Sequence, residues 1–578
     1  MPQPAPFISV RKGGRILTFW NIVAALLVLG VLVFLAEASR GVGQTLAELR
    51  MTPVSLDPAN LPEYAARTSL RMLAAMLLSL LFTFTYATWA AKSRRAEVLL
   101  IPLLDILQSV PILGFLSITV VFFMSLAPGK VLGAEFAAIF AIFTSQAWNM
   151  AFSFYQSLRT VPDELVEASR CFGLSGWMRF WRLEVPFAMP PLIWNMMMSM
   201  SGGWFFVVAS EAISVGDTTV TLPGIGSYIA LAIQQRDLAA IGWAIGAMLL
   251  VILIYDQLLF RPLVAWADRF RFEQEAGVAP PHSWALTMLR RSWLGALLEG
   301  LFGFASRWSS SRVVPRHNNP GRARAGQDRV TRWLDHAWYA AAIALTALAF
   351  WKTAAFVSAG VSVSDVKEAI QLGLATMVRV FVLIAIASAI WVPVGVWIGL
   401  RPGMASIAQP IAQFLAAFPA NLLFPIVVSG IVALRLNPNI WLSPLMILGT
   451  QWYILFNVVA GASTVPSELR DVGTNLGVRG WTWWRKIALP AIFPFYVTGA
   501  ITASGGSWNA SIVAEVASWG DTHLEAKGLG AYIAQATEAG DYHRIVLGIA
   551  VMSAFVIIIN RAFWRPLYSY AERKFRLS

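Results

Sequence analysis

Apolar stretches near or above the ~20 residues that a bilayer crossing requires recur twelve times along this chain. They fall at about 16–36, 69–91, 99–127, 132–156, 190–212 and 238–260, and again at about 335–357, 370–400, 407–434, 440–462, 491–517 and 542–563. In lipid every backbone N–H and C=O must be satisfied internally, so apolar segments of this length read as helices. The expectation is an all-α polytopic membrane protein with about 12 transmembrane helices. Composition agrees: 57% of the 578 residues are hydrophobic and 13% charged, too little charge to cover a soluble chain of that size. The first stretch follows Arg11, Lys12 and Arg15 and ends near Ala36-Glu37-Ala38, the small-x-small form of a signal-peptide cleavage site. It is a full span long, beyond the usual signal core, and is read as a retained first helix.

The net charge of +13 does not point to nucleic acid in a chain this apolar, because the cations gather at span ends. Lys92, Arg94 and Arg95 follow span two, and Arg159, Arg170, Arg179 and Arg182 lie between spans four and five. Arg261, Arg269 and Arg271 follow span six, while the opposite loops, 124–131 and 211–237, carry few basic residues. The positive-inside rule then predicts that both termini and the 4–5 loops are cytoplasmic. The single cysteine, Cys171, excludes an internal disulfide framework and a multi-cysteine zinc site, and reads as a small buried hydrophobe.

The two sets of six spans are a tandem repeat. Arg71, Pro102 and Pro111 recur 308 residues later as Arg379, Pro410 and Pro419. From span four the offset is 304: Trp148 pairs with Trp452, Gly173 with Gly477, Pro186 with Pro490 and Trp204 with Trp508. Glu211 pairs with Glu515, Asp217 with Asp521, and Arg261-Pro262 with Arg565-Pro566. An even number of spans per repeat makes the halves parallel, with a pathway possible between them. The expected domains are 1–266 and 334–578, joined by a basic cytoplasmic linker, 267–333. Within the linker, Ser306 to Arg332 has a flexible composition. Ser283 to Trp308 has helical apolar spacing that suits either an interfacial helix or one packed on the body.

The 4–5 loop occurs in both halves as Thr160-Val-Pro-Asp-Glu-Leu-Val-Glu-Ala-Ser-Arg-Cys-Phe-Gly173 and Thr464-Val-Pro-Ser-Glu-Leu-Arg-Asp-Val-Gly-Thr-Asn-Leu-Gly477. Each reads as a short helix, a glycine break and a second helix returning to the membrane at Pro186 or Pro490. Thr160 and Asp163 loosely form a capping box.

Glu167-Ala-Ser, three residues, Gly173, nine residues and Leu-Glu-Val-Pro186 resemble the Glu-Ala-Ala loop of permeases from binding-protein-dependent ATP-binding-cassette (ABC) importers. The second copy is degenerate, with Asp471, Val472 and Gly473 at the first three positions. Ala209-Ser-Glu211, Leu222-Pro-Gly-Ile-Gly226 and Asp256 are similar to the last third of the nitrate, taurine, sulfonate and bicarbonate group. The resemblance implies a type I importer-like fold in a bacterial inner membrane. It implies that loops 163–173 and 467–477 dock on two copies of a cytoplasmic ABC ATPase, through Glu164, Glu167, Ala168 and Gly173 and through Glu468, Asp471 and Gly477. It also implies a periplasmic or lipid-tethered binding protein and a small anionic solute.

No Gly-x-x-x-x-Gly-Lys-[Ser/Thr] phosphate loop occurs in the chain, so ATP and Mg are expected only in the partner ATPase, with no cofactor or metal here. No catalytic constellation is evident. Pathway candidates on span five are Ser201, Trp204, Ser504 and Trp508, whose residue types equally suit helix packing. Glu211 and Glu515 are read near the outer end of span five, as gate or binding-protein contacts or as caps of the next loop. Arg71 and Arg379 are read near the outer end of span two, snorkelling to headgroups or attracting anions. The alternative from another class is an ion-coupled secondary transporter with parallel six-helix repeats. It would need ionisable groups deep in the spans; the central spans read as nearly free of them, with Asp105 and Asp256 as exceptions placed toward the cytoplasmic ends.

Overall fold

The computed structural model describes residues 19–39, 54–215, 218–270, 283–293, 327–463, 465 and 467–575. The first half comprises α1 (Phe19–Ser39), α2 (Pro58–Lys92), α3 (Arg94–Ser109), α4 (Ile112–Leu126), α5 (Val131–Arg159), α6 (Asp163–Cys171) and α7 (Gly176–Glu211). A hairpin of β1 (Ala212–Val215) and β2 (Thr218–Thr221) precedes α8 (Ile225–Gln234) and α9 (Leu238–Phe270). A short helix, α10 (Trp284–Arg291), follows. The second half repeats the order as α11 (Gln327–Gly360), α12 (Val363–Gly399), α13 (Pro402–Ala417), α14 (Ala420–Ala433), α15 (Pro438–Leu448) and α16 (Gln451–Ser463). It continues with α17 (Ser467–Asn475), α18 (Gly480–Ala514), the hairpin β3 (Val516–Trp519) and β4 (Thr522–Glu525), α19 (Leu529–Glu538) and α20 (Tyr542–Ala571).

Among the described residues eight helices are long and apolar enough to cross a membrane, and nine if α15 and α16, bent by 46° at their break, are counted as one span. The chain is a helical, multi-pass membrane protein. Its third spans depart from the continuous helices expected at 99–127 and 407–434. Each breaks at a proline, where Val110 (ψ 128°) and Phe418 (ψ 128°) are extended. Proline cannot donate to the preceding turn, and its ring pushes the residue before it out of the helical region.

Other prolines are absorbed without a break. A five-residue π turn ends two residues before Pro186, Pro262, Pro490 and Pro566, at Phe180–Glu184, Asp256–Phe260, Trp484–Ala488 and Asn560–Trp564. The wider turn removes the need for the missing N–H and gives the ring room, so the helix continues.

Each half packs its fifth span along its fourth, α7 on α5 and α18 on α16. Trp204 and Trp508 are fully buried in equivalent places. Trp204 meets Tyr255 edge-on at 5.2 Å, and Trp508 stacks on Phe555 at 6.0 Å. Helix α10 buries Ala285, Leu286 and Met288 and packs on the end of α9, so these residues belong to the body of the protein. Leu294 to Trp308 lie outside the described residues. Helix α11 starts at Gln327, inside the stretch assigned to the linker, while 306–326 are not among the described residues.

Candidate functional site

A cavity of about 370 Å³ lies between the halves, where the broken third spans meet the fifth spans. Its described walls mix aliphatic and aromatic side chains with amides, hydroxyls and glycine backbone, and hold no formally charged side chain. The breaks free backbone groups, and the opposite half takes them up. Asn509 Oδ1 on α18 accepts the Ile112 N–H at the start of α4 (2.8 Å). In the mirrored contact, Asn421 Nδ2 at the start of α14 donates to the Phe205 carbonyl on α7 (3.1 Å). Phe205 and Asn509 are 304 residues apart, so one junction is built twice with its polarity exchanged. Ser201 adds a hydrogen bond to the Ala416 carbonyl at the end of α13.

Ser201, Ser504 and Trp508 of the expected pathway residues line this cavity. Trp204, Glu211 and Glu515 do not. Trp204 is enclosed within the first half, and the glutamates serve a different purpose. Glu211 is fully buried: Oε1 accepts from Thr68 Oγ1 and Arg71 (both 2.7 Å), and Oε2 accepts the Gly226 N–H (2.7 Å). Glu515 repeats this with Thr376 (2.8 Å), Arg379 (2.9 Å) and the N–H groups of Gly530 (2.8 Å) and Ala531 (3.2 Å). Of the two readings from sequence, capping the following segment is the one this geometry matches. The carboxylate sits at the N-terminus of α8 or α19, where free N–H groups and the helix dipole favour a negative charge.

This clamp explains the Gly-x-Gly pattern. A Cβ on Gly224 would lie 2.3 Å from the Glu211 carboxyl carbon, and one on Gly226 would lie 2.2 Å from the Val208 carbonyl oxygen. Gly528 and Gly530 are equally confined, by Glu515 at 2.2 Å and Ser511 at 2.4 Å. It also corrects the reading of Arg71, which is 3% exposed and reaches no headgroup. Its guanidinium is bound bidentately by Glu135 (2.7 and 2.6 Å) and again by Glu211. Arg379 pairs with Glu515 rather than reaching the surface alone. Sequence reasoning missed Glu135; the available signal was a lone carboxylate within an otherwise apolar stretch. The second half has Asn439 in its place, 3.4 Å from Arg379.

At this same end, opposite the basic loops, the halves cross. β1 packs on α19 and β3 packs on α8. One crossing carries extra bonds: Gly520 N–H donates to the Ile233 carbonyl (3.0 Å), and Arg236 pairs with Asp521 (3.0 Å). Arg236 adopts φ +55°, a conformation held at the equivalent α19 end by Gly540 (φ +67°). Asp217, the repeat equivalent of Asp521, lies outside the described residues.

At the basic end, α6 and α17 project with one geometry. Gly173 and Gly477 both have φ +66°. The next N–H, of Leu174 or Val478, closes the helix end on Ser169 (3.0 Å) or Gly473 (2.9 Å), a bond pattern that needs a left-handed residue. Glu164, Glu167, Ala168 and Gly173 are exposed, as are Glu468, Asp471 and Gly477. Beside them stand large exposed apolar side chains, Phe172 (82%) and Leu476 (73%), with Trp177 and Trp481. Gly473, which departs from the Glu-Ala-Ala pattern, is buried against the tip of Ile487, whose Cδ1 would lie 2.6 Å from a Cβ there. Two expectations need correction. Thr160 does not cap α6, because Pro162 is the N-cap residue and the Thr160 hydroxyl turns back to the Gln156 carbonyl (3.1 Å). Cys171 is exposed rather than buried. Glu184, in the π turn after the first loop, binds Lys92 (2.5 Å) and Arg179 (3.1 Å), tying that loop to α2.

A helical membrane protein of two parallel repeats, with a cavity between them and a projecting loop on each, has the form of a transport permease. Residues 61–264 and 391–575, well over half of the chain, match the family of binding-protein-dependent transport system inner membrane components, and the chain belongs to that family. It is 28% identical over 188 residues to the bicarbonate transport system permease protein CmpB of Synechococcus elongatus, covering 32% of this chain and 64% of that protein. It is 26% identical over 186 residues to the nitrate import permease protein NrtB of Leptolyngbya laminosa (32% and 63%). With the glycine betaine/proline betaine transport system permease protein ProW of Escherichia coli it shares 27% over 226 residues (39% and 59%). The chain thus spans less than two thirds of the length of each of these relatives.

Proposed function

We propose that this chain is the permease of an ABC importer, carrying both transmembrane domains, 1–266 and 334–578, on one polypeptide joined by the 267–333 linker. The observation that carries the reading is the pair of projecting loops, 163–173 and 467–477, alike in backbone geometry despite different sequences. Each presents a carboxylate-bearing helix face and a large exposed apolar side chain, a surface suited to a cleft on a cytoplasmic ATPase. Two copies of that ATPase hydrolyse ATP with Mg, and the chain itself is not an enzyme. Both termini are cytoplasmic, and a periplasmic or lipid-tethered binding protein delivers a small solute to the opposite face.

Movement of the loops reaches the cavity through α7 and α18, which begin at the loops and end at the glutamate clamps. The buried Arg71, Glu135 and Glu211 are intramembrane charges of the kind an ion-coupled carrier uses. They bond to one another and to backbone, none lines the cavity, and the second half repeats the clamp, so they favour a structural role.

The test is a pull-down of the tagged chain from its membrane, wild type beside Glu167→Lys and Asp471→Lys. An ATPase recovered with wild type and reduced by either substitution supports coupling through both loops. Its absence from wild type in mild detergent moves the secondary-transporter reading to first place.

A further inference from the structure

The elbow between the second and third spans is built differently in the two halves. In the first half it is Ser93, which joins α2 to α3 at the basic end. Lys92, the last residue of α2, donates to both oxygens of Glu184 (2.6 and 2.5 Å), and Arg179 donates to the same carboxylate (3.1 Å). Glu184 is 4% exposed and lies near the start of α7, just after the first loop. On the other flank of that loop, near the end of α5, Tyr155 donates to Glu97 in the first turn of α3 (2.6 Å). Arg159 stands 3.8 Å from the same carboxylate. Both flanks of the first loop therefore grip one elbow through ionised side chains.

The second half has none of these groups. At offsets of 308 in α2 and α3 and 304 from α5 onward, Lys92, Glu97 and Tyr155 become Leu400, Ala405 and Val459. Arg159, Arg179 and Glu184 become Ser463, Trp483 and Ala488. Helix α12 is instead pressed against α16. A Cβ on Gly395 would lie 2.7 Å from Val458 Cγ1, and one on Gly399 would lie 2.6 Å from the Val459 carbonyl oxygen. Small residues permit that approach, and the first half has the larger Ala87 and Ala91 at those places. One molecule thus closes the same elbow once with charge and once without. Burying a carboxylate carries a desolvation cost that apolar packing avoids, so closure of the elbow alone does not account for Glu184.

We infer that Lys92 and Glu184 are positioning residues that make the third span of the first half follow its loop. Helix α3 leads from the elbow to Gln108 in the cavity wall and to the break at Pro111. The pair gives movement of the first loop a second route to the cavity, through α3 as well as α7. The two halves are therefore coupled unequally: the first by a removable charge, the second by helix packing. The inference rests on the importer reading above.

The test is a distance measurement in the purified complex with its ATPase. Cys171 is the only cysteine, so in a Cys171→Ser chain spin labels are placed through Val98→Cys on α3 and Arg182→Cys near the start of α7, both exposed positions. With Lys92 and Glu184 present, the distance should be the same in ADP and in ATP with vanadate, because the two segments move together. Lys92→Met leaves Glu184 its bond to Arg179, so the fold is kept, and the distance should shift between the two nucleotide states. Glu184→Gln, which keeps the shape and removes the charge, should shift likewise, while Lys92→Arg should behave as the parent. Retained ATPase co-purification shows that each variant folds. A distance that shifts in the parent, or stays fixed in both Lys92→Met and Glu184→Gln, overturns the inference, as does an equal shift in Lys92→Arg. ATPase retained with any of these results leaves the importer reading standing; a parent chain that retains no ATPase removes that reading and this inference together.

Discussion

Arg71 faces two buried carboxylates and Arg379 faces one, and this difference sets unequal consequences for losing either arginine. Arg71→Ala strands Glu135 and Glu211 together, and breaking a buried pair from one side costs about 3–5 kcal/mol. Arg379→Ala leaves Glu515 with Thr376 and two backbone N–H donors, so a smaller loss is expected. Thermal unfolding midpoints in detergent compare the two, and equal shifts would count against the clamp as drawn. Gly226→Ala and Gly530→Ala each drive a Cβ into a backbone carbonyl. Either should lower the yield of folded protein after extraction more than Gly246→Ala, where nothing lies within 4 Å.

Among the elements, the crossing between β3 and α8 carries the clearest expectation. Arg236 occupies a left-handed position that costs a non-glycine residue about 1–2 kcal/mol, and its exposed pair with Asp521 returns no more than about 1 kcal/mol. Arg236→Gly should therefore leave stability nearly unchanged or slightly raised. We predict that it also loosens the contact between halves and raises ATP hydrolysis by the purified complex without binding protein. Unchanged hydrolysis would exclude this contact from control of the resting state. The four π turns make a second case: Pro186→Ala removes the reason for the wide turn after the first loop. An α-helical repack would rotate α7 relative to α6, so uptake should fall while the protein remains folded; unaltered uptake would show that the π turn is incidental.

Across the whole molecule the halves hold each other through half-buried junctions at the two breaks and through the crossing hairpins. No described residue of the linker takes part in these bonds. A chain cut within 294–326 and expressed as two pieces should therefore co-purify as a pair and retain uptake, by tagging one piece and probing for the other. Separation of the pieces would show that the linker is needed for assembly.

Local chemistry was enough to read the spans, the repeat and the two loops. Span length follows from bilayer thickness, and the left-handed glycines at 173 and 477 follow from helix-end geometry. Pro111 and Pro419 were visible only as a repeated pair inside spans expected to be continuous, because whether a proline breaks a helix or is taken up by a π turn depends on what can satisfy the freed backbone. That was decided by Asn509 and Ser201 reaching across from the other half to the Ile112 N–H and the Ala416 carbonyl. The same holds for charge. Arg71 looked like an interfacial cation because its partners, Glu135 and Glu211, are 64 and 140 residues away. Trp204 and Trp508 occupy the same place in the repeat, yet only Trp508 reaches the cavity wall. Periodicity and local backbone preference belong to the sequence by itself. Which buried polar group meets which partner, and which wall a side chain faces, arose only when the two unequal halves packed together.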